Sequence, residues 1–305
     1  MAEMADKLKL GILVPLGDIG GDPATVREFA QAAEGLGYDD LAAPDHVLGV
    51  NAEARPDWGD RNTSRDLFHD PFVLFGYLSG VTERIGFSTQ VLILPQRQAA
   101  LVAKQAACLD VLCGGRFRLG VGVGWNEVEF VGLNEEFHSR GRRSAEQVRV
   151  MQALWAAPHV SHKGTWHTIE DAGINPRPAS GRVPVWFGGS EDVTLRRIAK
   201  LGDGWMPNAF KPGERARAAF DTLRRYTEEA GRDPGSIGLE PWLSMGEGAE
   251  ADWRDEVRAW KRLGVTRLCL TTTFNRRGHR RIEGRSMADH LGAMRRYKAA
   301  VDDLL

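Results

Sequence analysis

Short apolar runs alternate with amphipathic segments along almost the whole chain of 305 residues. Apolar runs of this length predict strands, and the 3.6-residue periodicity of the longer segments predicts helices. The predicted strands are 8–14, 39–43, 84–94, 117–123, 183–187, 204–207, 237–244 and 267–271. The predicted helices are 24–36, 71–81, 99–112, 143–155, 192–201, 214–229, 253–263 and 287–304. Eight strand–helix pairs in one chain predict an α/β fold, a closed (β/α)8 barrel rather than an open sheet.

Length and composition agree with one large domain. A parallel barrel extends a single core beyond 250 residues, so we expect one domain over residues 1–305. The hydrophobic share of 42% and the charged share of 27% are ordinary for a globular protein. The formal net charge is only −1, which argues against a nucleic-acid or membrane surface.

The cysteines, the N-terminal residues and the distribution of apolar residues argue against a zinc protein, a secreted protein and a membrane protein. Cys108, Cys113 and Cys269 lack the spacing of a zinc site, so no metal is expected. Residues 1–9 have no apolar stretch resembling a signal peptide, and no run approaches the ~20 apolar residues of a membrane span. We therefore expect a cytoplasmic protein.

Two long segments, 47–69 and 158–182, interrupt the strand–helix pattern. Insertions of this length in a compact fold are usually functional lids or else disordered. The first insertion follows the second strand, which places it at the C-terminal face of the barrel, where active sites lie.

The pair Asp45-His46 comes directly after the second strand. A histidine at a strand end faces the mouth of a barrel and can exchange a proton near neutral pH. The alternative is a loop histidine that bonds its own backbone.

A glycine-rich segment runs from Gly120 through Gly122 and Gly124 into Trp125 and Asn126. Its GxGxG spacing differs from the GxGxxG that opens a helix in dinucleotide-binding folds. One interpretation is a strand with one face left bare for a flat ring; the alternative is a tight strand–loop transition.

Two segments are candidates for binding an anion. Gly188, Gly189 and Ser190 lie between a strand and a helix, where backbone N–H groups bind anions, and Arg196 and Arg197 follow within that helix. The cluster His138, Arg140, Arg142 and Arg143 precedes another helix and is either a solvated face or a site for an anionic cofactor tail.

Together these segments resemble the bacterial luciferase-like superfamily, especially its branch that uses the deazaflavin coenzyme F420. The resemblance rests on APDH after the second strand and, further along, on RIGFSTQVLILPQRQAALVAKQAACLDVLCGGRFRLGVGVGWNEVEF, HSRGRRSAEQVRVMQALW and PVWFGGSEDVTLRRIAKLGDGWMPN. It covers roughly residues 8–207; beyond that only the strand–helix pattern supports it.

The resemblance implies a flavin-type ring across the C-terminal mouth of the barrel. A bulge with a non-prolyl cis peptide bond at Gln90-Val91 backs the ring, and the cofactor phosphate meets the Gly188–Ser190 turn. His46 matches the histidine near the reactive carbon of the ring. The implied cofactor-binding residues are Asp45, Gln90, Val91, Gly122, Gly124, Trp125, His138, Arg142, Gly188, Gly189 and Ser190.

The sequence also departs from the family pattern. Members that oxidise alcohols or sugar phosphates have a Trp four residues after the histidine and a Glu after the glycine-rich strand; here Val50 and Trp125 occupy those positions. We therefore expect no acid partner for His46 and neither of those two activities. FMN-dependent members often have a Tyr where this chain has Arg142, and the arginines favour an anionic deazaflavin tail.

The leading interpretation is an F420-dependent oxidoreductase that moves hydride between the reduced cofactor and a small organic substrate. The alternatives are an FMN-dependent monooxygenase supplied by a separate reductase and a non-catalytic flavin- or F420-binding protein. An unrelated phosphate-binding barrel is disfavoured because no evident Glu or Lys base follows a strand. The resemblance implies a homodimer. The aromatic side chains expected to line a pocket are Trp58, Phe68, Trp125, Trp166 and Trp205.

Overall fold

The computed structural model describes residues 7–246 and 248–305. Residues 1–6, which form most of the segment predicted not to be a signal peptide, lie outside the described residues. Within those two ranges, no helix combines the length and apolar character needed to cross a bilayer. The cytoplasmic location stays a prediction.

The described residues form twelve strands. They are β1 Lys9–Leu13, β2 Asp40–Ala43, β3 Gly86–Thr89, β4 Leu92–Ile93, β5 Phe117–Gly122, β6 Val160–Lys163, β7 Thr168–Ala172, β8 Val185–Gly188, β9 Gly204–Met206, β10 Gly238–Leu239, β11 Trp242–Ser244 and β12 Arg267–Thr271.

Ten α-helices lie between or after these strands in the described ranges. They are α1 Leu16–Ile19, α2 Pro23–Gly35, α3 Pro71–Ser79, α4 Ala99–Leu112, α5 Glu127–Gly132, α6 Arg140–Ala156, α7 Asp192–Leu201, α8 Glu214–Glu229, α9 Glu250–Arg262 and α10 Met287–Val301. The helix α2 begins at Pro23, one residue before the predicted start: Asp22 accepts the N–H groups of Ala24 and Thr25, and Pro23 is the first helical residue.

The chain divides into two compact units. The first contains the described residues up to Ala42, together with Arg84–Gly86 and Trp186–Leu305. In it, β1 pairs in parallel with β2 and β12, β12 pairs with β11, and β9 pairs with β8 and β10. Four consecutive residues of β1 are buried, as expected of a parallel strand covered on both faces.

The second unit contains Ala43–Glu83 and Phe87–Val185. Its strand β5 pairs in parallel with β3 and with β4. The helix α4 packs against α3 and α6, and the fully buried aromatic side chains of this unit are Phe75, Phe87, Phe117, Phe130 and Trp155. All six residues of β5 are buried, so this strand is the centre of the unit that holds His46.

The predicted alternation of parallel strands and helices is confirmed, with local differences. The predicted strand 84–94 is two strands, because the segment at residues 90–91 interrupts the ladder between β3 and β4. The predicted strand 237–244 is also split, and Pro241, which has no N–H to donate, lies between its parts. Closure into eight strands and the single domain stay predictions.

The sequence suggested that the second insertion, residues 158–182, has no regular structure, but this is wrong. The strands β6 and β7 pair antiparallel as a hairpin. Their side chains are largely exposed and polar, so the hairpin has little apolar alternation by which to recognise it.

One carboxylate anchors this hairpin. Glu146 of α6 accepts the backbone N–H groups of Thr165, Trp166 and His167 at 2.8–2.9 Å, and the ring Nδ1 of His167 lies 3.0 Å away. Burial alone would raise the pKa of Glu146, but the hydrogen bonds from Trp166, His167 and Thr165 outweigh it and lower the pKa to about 2.

We expect Glu146→Ala to release the hairpin tip while the fold persists. Three N–H groups lose their acceptor, and a lost hydrogen bond to a charged group is worth about 1.5–3 kcal/mol, so local exchange should accelerate about tenfold or more. Amide hydrogen exchange at residues 165–167 measures this.

The matched control is Glu170→Ala, which removes an exposed carboxylate from the same hairpin. Equal exchange in the two variants would contradict the anchoring role. Because the pKa of Glu146 is depressed below the ordinary value of 4.5, its stabilisation is complete above that pH and is lost as the pH falls towards 2.

Candidate functional site

His46 lies just beyond the end of β2 and has a buried acid partner. Its ring Nδ1 is 2.9 Å from Glu129 Oε2, and the Glu129 side chain is 1% exposed. The expectation that no acid accompanies His46 is therefore wrong. The family position after the glycine-rich strand is Trp125, but α5 brings a carboxylate to His46 from four residues further along the chain.

Asp45 holds the turn that contains His46 in place. One carboxylate oxygen accepts the N–H of Ile93 at 2.9 Å, and the other accepts from the Arg97 guanidinium at 2.8 Å. Arg97 also donates to Asp70, the N-cap of α3. Burial raises the pKa of the Asp45 carboxyl, and the positive charge of Arg97 opposes that rise. Asp45 is thus engaged by protein groups, and its assignment to cofactor binding stays a prediction.

The segment between β3 and β4 matches the implied bulge. The Gln90–Val91 peptide bond is cis, as predicted. The Gln90 N–H donates to Ala43 O at 2.7 Å, so this segment is hydrogen-bonded to the residue that ends β2. The bulge and the Asp45–His46 turn therefore lie side by side.

Gly122 ends β5 and Gly124 follows two residues later, and both lie against side chains of the segment 91–93. A Cβ on Gly122 would meet Val91 Cγ2 at 2.4 Å, and a Cβ on Gly124, where φ is +75°, would meet Ile93 Cγ2 at 2.7 Å. Side chains of the bulge and of β4 fill the space beside these glycines. At these two positions the glycines accommodate neighbouring side chains, and the assignment of Gly122 and Gly124 to cofactor binding stays a prediction.

We expect Gly122→Ala to destabilise the protein by about 1–3 kcal/mol, because the added methyl group overpacks against Val91. The double variant Val91→Ala/Gly122→Ala should recover most of that loss. Denaturant unfolding of both single variants and the double variant gives the coupling free energy. Additive losses would contradict a direct clash between these residues.

Three of the five predicted pocket aromatics meet around His46. The His46 ring contacts Phe68 edge-on at a centroid distance of 4.9 Å and Trp125 at 6.1 Å, and Trp58 stacks on Trp125 at 5.7 Å. The Arg61 guanidinium lies 4.3 Å from the centre of the Trp125 ring. The first insertion thus supplies aromatic and cationic groups to the surroundings of His46.

The other two aromatics do not join this group. Trp205 is fully buried in the first unit, and its Nε1 donates to Gly189 O. Trp166 is exposed on the hairpin that Glu146 anchors.

The members of the basic cluster at residues 138–143 differ in burial and in their partners. Arg143 is buried, pairs with Glu135 and donates to Pro95 O, so its charge is neutralised inside the protein. The expectation that Arg143 favours an anionic tail is therefore wrong. His138 and Arg142 are exposed and stay candidates for that tail.

In the first unit, Gly189 and Ser190 are exposed before α7, and Gly189 has a φ of +100°. Acidic Glu191 and Asp192 begin the helix and oppose a bound anion. Arg196 pairs with Asp192 rather than facing the turn. The phosphate role of Gly188, Gly189 and Ser190 stays a prediction.

Two of the residues that organise the site, Glu129 and Arg97, were missed. The available signal for Glu129 was its place beside apolar Phe130 at the start of a helix. Across the described ranges, no cluster of three His, Cys, Asp or Glu side chains suits a metal ion.

Comparison with known proteins gives the class. The model of the luciferase-like monooxygenase family matches residues 10–303, so the chain belongs to that family. An uncharacterised protein of Mycobacterium tuberculosis is 35% identical over 211 residues, which is 67% of this chain and 72% of the relative. The F420-dependent glucose-6-phosphate dehydrogenase of Segniliparus rotundus is 30% identical over 242 residues, 73% of this chain and 68% of the enzyme.

The fold agrees with that family. The crystal structure of the monooxygenase RslO1 from Streptomyces bottropensis superposes with a TM-score of 0.74 and 16% identity, covering 97% of this chain and 99% of the other. The family contains oxidoreductases and monooxygenases, with F420-dependent and flavin-dependent members.

Proposed function

We propose that the protein is a coenzyme F420-dependent oxidoreductase that transfers hydride between the reduced cofactor and a small organic substrate. It forms a single-domain (β/α)8 barrel with insertions at the C-terminal face. The observation that carries this proposal is the juxtaposition of the Asp45–His46 turn with segment 90–93. Two hydrogen bonds join them, Gln90 N–H to Ala43 O and Ile93 N–H to Asp45.

The residues present fit a planar cofactor or substrate beside His46. Trp125 is 40% exposed next to the His46 ring, and Phe68 is half-buried against it. Exposed His138 precedes α6 and exposed Arg142 lies in its first turn, where the positive charge of Arg142 suits an anionic tail. The similarity to an F420-dependent dehydrogenase supports the same choice of cofactor.

The cofactor, when bound, supplies the hydride chemistry, and the protein supplies orientation, exclusion of water and proton transfer. His46 is the residue we assign to proton transfer, because its side chain remains 15% exposed while its Nδ1 is held. Trp58, Phe68 and Trp125 cover its surroundings with apolar surface and reduce access of water.

The cofactor assignment is tested by titrating the purified protein with F420 and with FMN while following absorbance and tryptophan fluorescence. We expect saturable binding of F420 at micromolar or lower concentration and weaker or undetectable binding of FMN. The basis of this expectation is the permanent positive charge of exposed Arg142.

FMN binding without F420 binding would overturn the assignment and favour the second candidate, an FMN-dependent monooxygenase served by a separate reductase. The observation that supports this second candidate is the similarity in fold to the monooxygenase RslO1.

We expect His46→Ala to lower kcat about 10²–10⁴-fold with cofactor binding nearly unchanged, because it removes the proton-transfer group alone. Steady-state kinetics with the substrate found by screening reduced-cofactor turnover measures this. His159→Ala, which removes an exposed histidine before β6, is the matched control. Full turnover by the His46 variant would favour a non-catalytic cofactor-binding protein.

We also propose a homodimer. Val73 on α3 and Leu101 and Leu112 on α4 are exposed apolar side chains on two neighbouring helices of the second unit. Both helices have apolar residues on exposed as well as buried faces, which is typical of helices covered on more than one side.

A further inference from the structure

Glu129 lies in the first turn of the short helix α5, whose N-cap Asn126 accepts the N–H of Val128 at 3.0 Å. Its side chain is almost completely buried, and neighbouring Phe130 is fully buried. The carboxylate therefore has little freedom to move away from its partners.

The two oxygens of Glu129 have separate partners. Oε1 accepts the backbone N–H of Val47 at 2.8 Å and that of Leu48 at 3.2 Å. Oε2 faces His46 Nδ1. One side chain thus holds both the imidazole ring and the first residues of the insertion 47–69.

The carboxylate is ionised at neutral pH. Burial alone would raise the pKa of Glu129, but the hydrogen bonds from His46, Val47 and Leu48 outweigh it and lower the pKa below its ordinary value. An ionised carboxylate has no hydrogen to donate, so the hydrogen between Glu129 and His46 belongs to Nδ1.

The neighbouring acid, Asp45, does not bind the His46 ring in place of Glu129. Both oxygens of the Asp45 carboxylate are engaged, by Ile93 N–H and by Arg97. Glu129 is the carboxylate that meets the ring.

We propose that Glu129 is the positioning residue of His46: it keeps the hydrogen on Nδ1 and so makes Nε2 the nitrogen that gains and loses the catalytic proton. The position of the hydrogen on Nδ1 does not depend on the proposed function. Only the transfer of the Nε2 proton to or from a substrate rests on it. In the reductive direction, Nε2 of the doubly protonated ring would give its proton to the substrate, and the bound cofactor would supply the hydride. The ring is then neutral and keeps its Nδ1–H on Glu129; oxidation of the substrate reverses both transfers.

The variant Glu129→Gln reverses the arrangement with almost no change of shape. The amide oxygen must occupy the Oε1 position, because two backbone N–H groups point at it. The amide NH2 then faces His46 Nδ1 and needs an acceptor there, so the ring hydrogen moves to Nε2.

The test is ¹H–¹⁵N correlation NMR of the protein labelled with ¹⁵N-histidine, recorded without cofactor at about pH 9, where an ordinary imidazole is neutral. We expect a protonated Nδ1 and an unprotonated Nε2 for His46 in the wild type, and the opposite in Glu129→Gln. Glu127→Gln, which changes an exposed carboxylate of the same helix, should match the wild type.

A wild-type ring protonated at Nε2 would overturn the assignment without any variant. An unchanged tautomer in folded Glu129→Gln would overturn it as well. Loss of the fold in that variant leaves the wild-type spectrum and the shorter Glu129→Asp as tests, with Nδ1–H expected in both.

Kinetics separate this assignment from the proposed function. With an active substrate, Glu129→Gln should lower kcat about tenfold or more with KM little changed, and should add no loss to His46→Ala. If the wild type shows the expected tautomers but no F420-dependent turnover, the proposed function is contradicted, whereas the role of Glu129 in positioning His46 is supported.

Discussion

A carboxylate that accepts backbone N–H groups of a loop is the interaction on which the organisation of this protein depends. Asp45 takes the N–H of Ile93, Glu129 takes two at the start of the first insertion, and Glu146 takes three at the tip of the second. Loop N–H groups removed from water need an acceptor, and a carboxylate serves several of them at once. The same interaction fixes the bulge, the histidine turn and the hairpin.

The sequence was sufficient to predict elements whose stability is local. The helices α4, α7 and α8 and the strand β12 have the predicted bounds, because their periodicity and flanking residues are contiguous in the chain. The hairpin β6–β7 could not be predicted in this way. Its strands are polar, and its anchor Glu146 belongs to the preceding helix α6.

The candidate site likewise contains residues that the local sequence identifies and residues that only the fold brings together. Asp45, His46 and the Gln90–Val91 bulge follow strands and were identified from motifs that are continuous in the sequence. Glu129 is 83 residues from His46, and periodicity contains no information about such a pair. The arginines near residue 140 show the opposite error. A basic run suggests an exposed patch, and only the fold reveals that Arg143 is buried against Glu135.

The contact between Gly122 and Val91 has an evolutionary consequence. The two positions are far apart in sequence, yet the absence of a side chain at one makes room for the branched side chain at the other. Substitution at position 122 becomes tolerable only after position 91 has become smaller, so the order of mutations matters. Drift at this pair is therefore constrained to particular paths, even though neither residue has a reactive group.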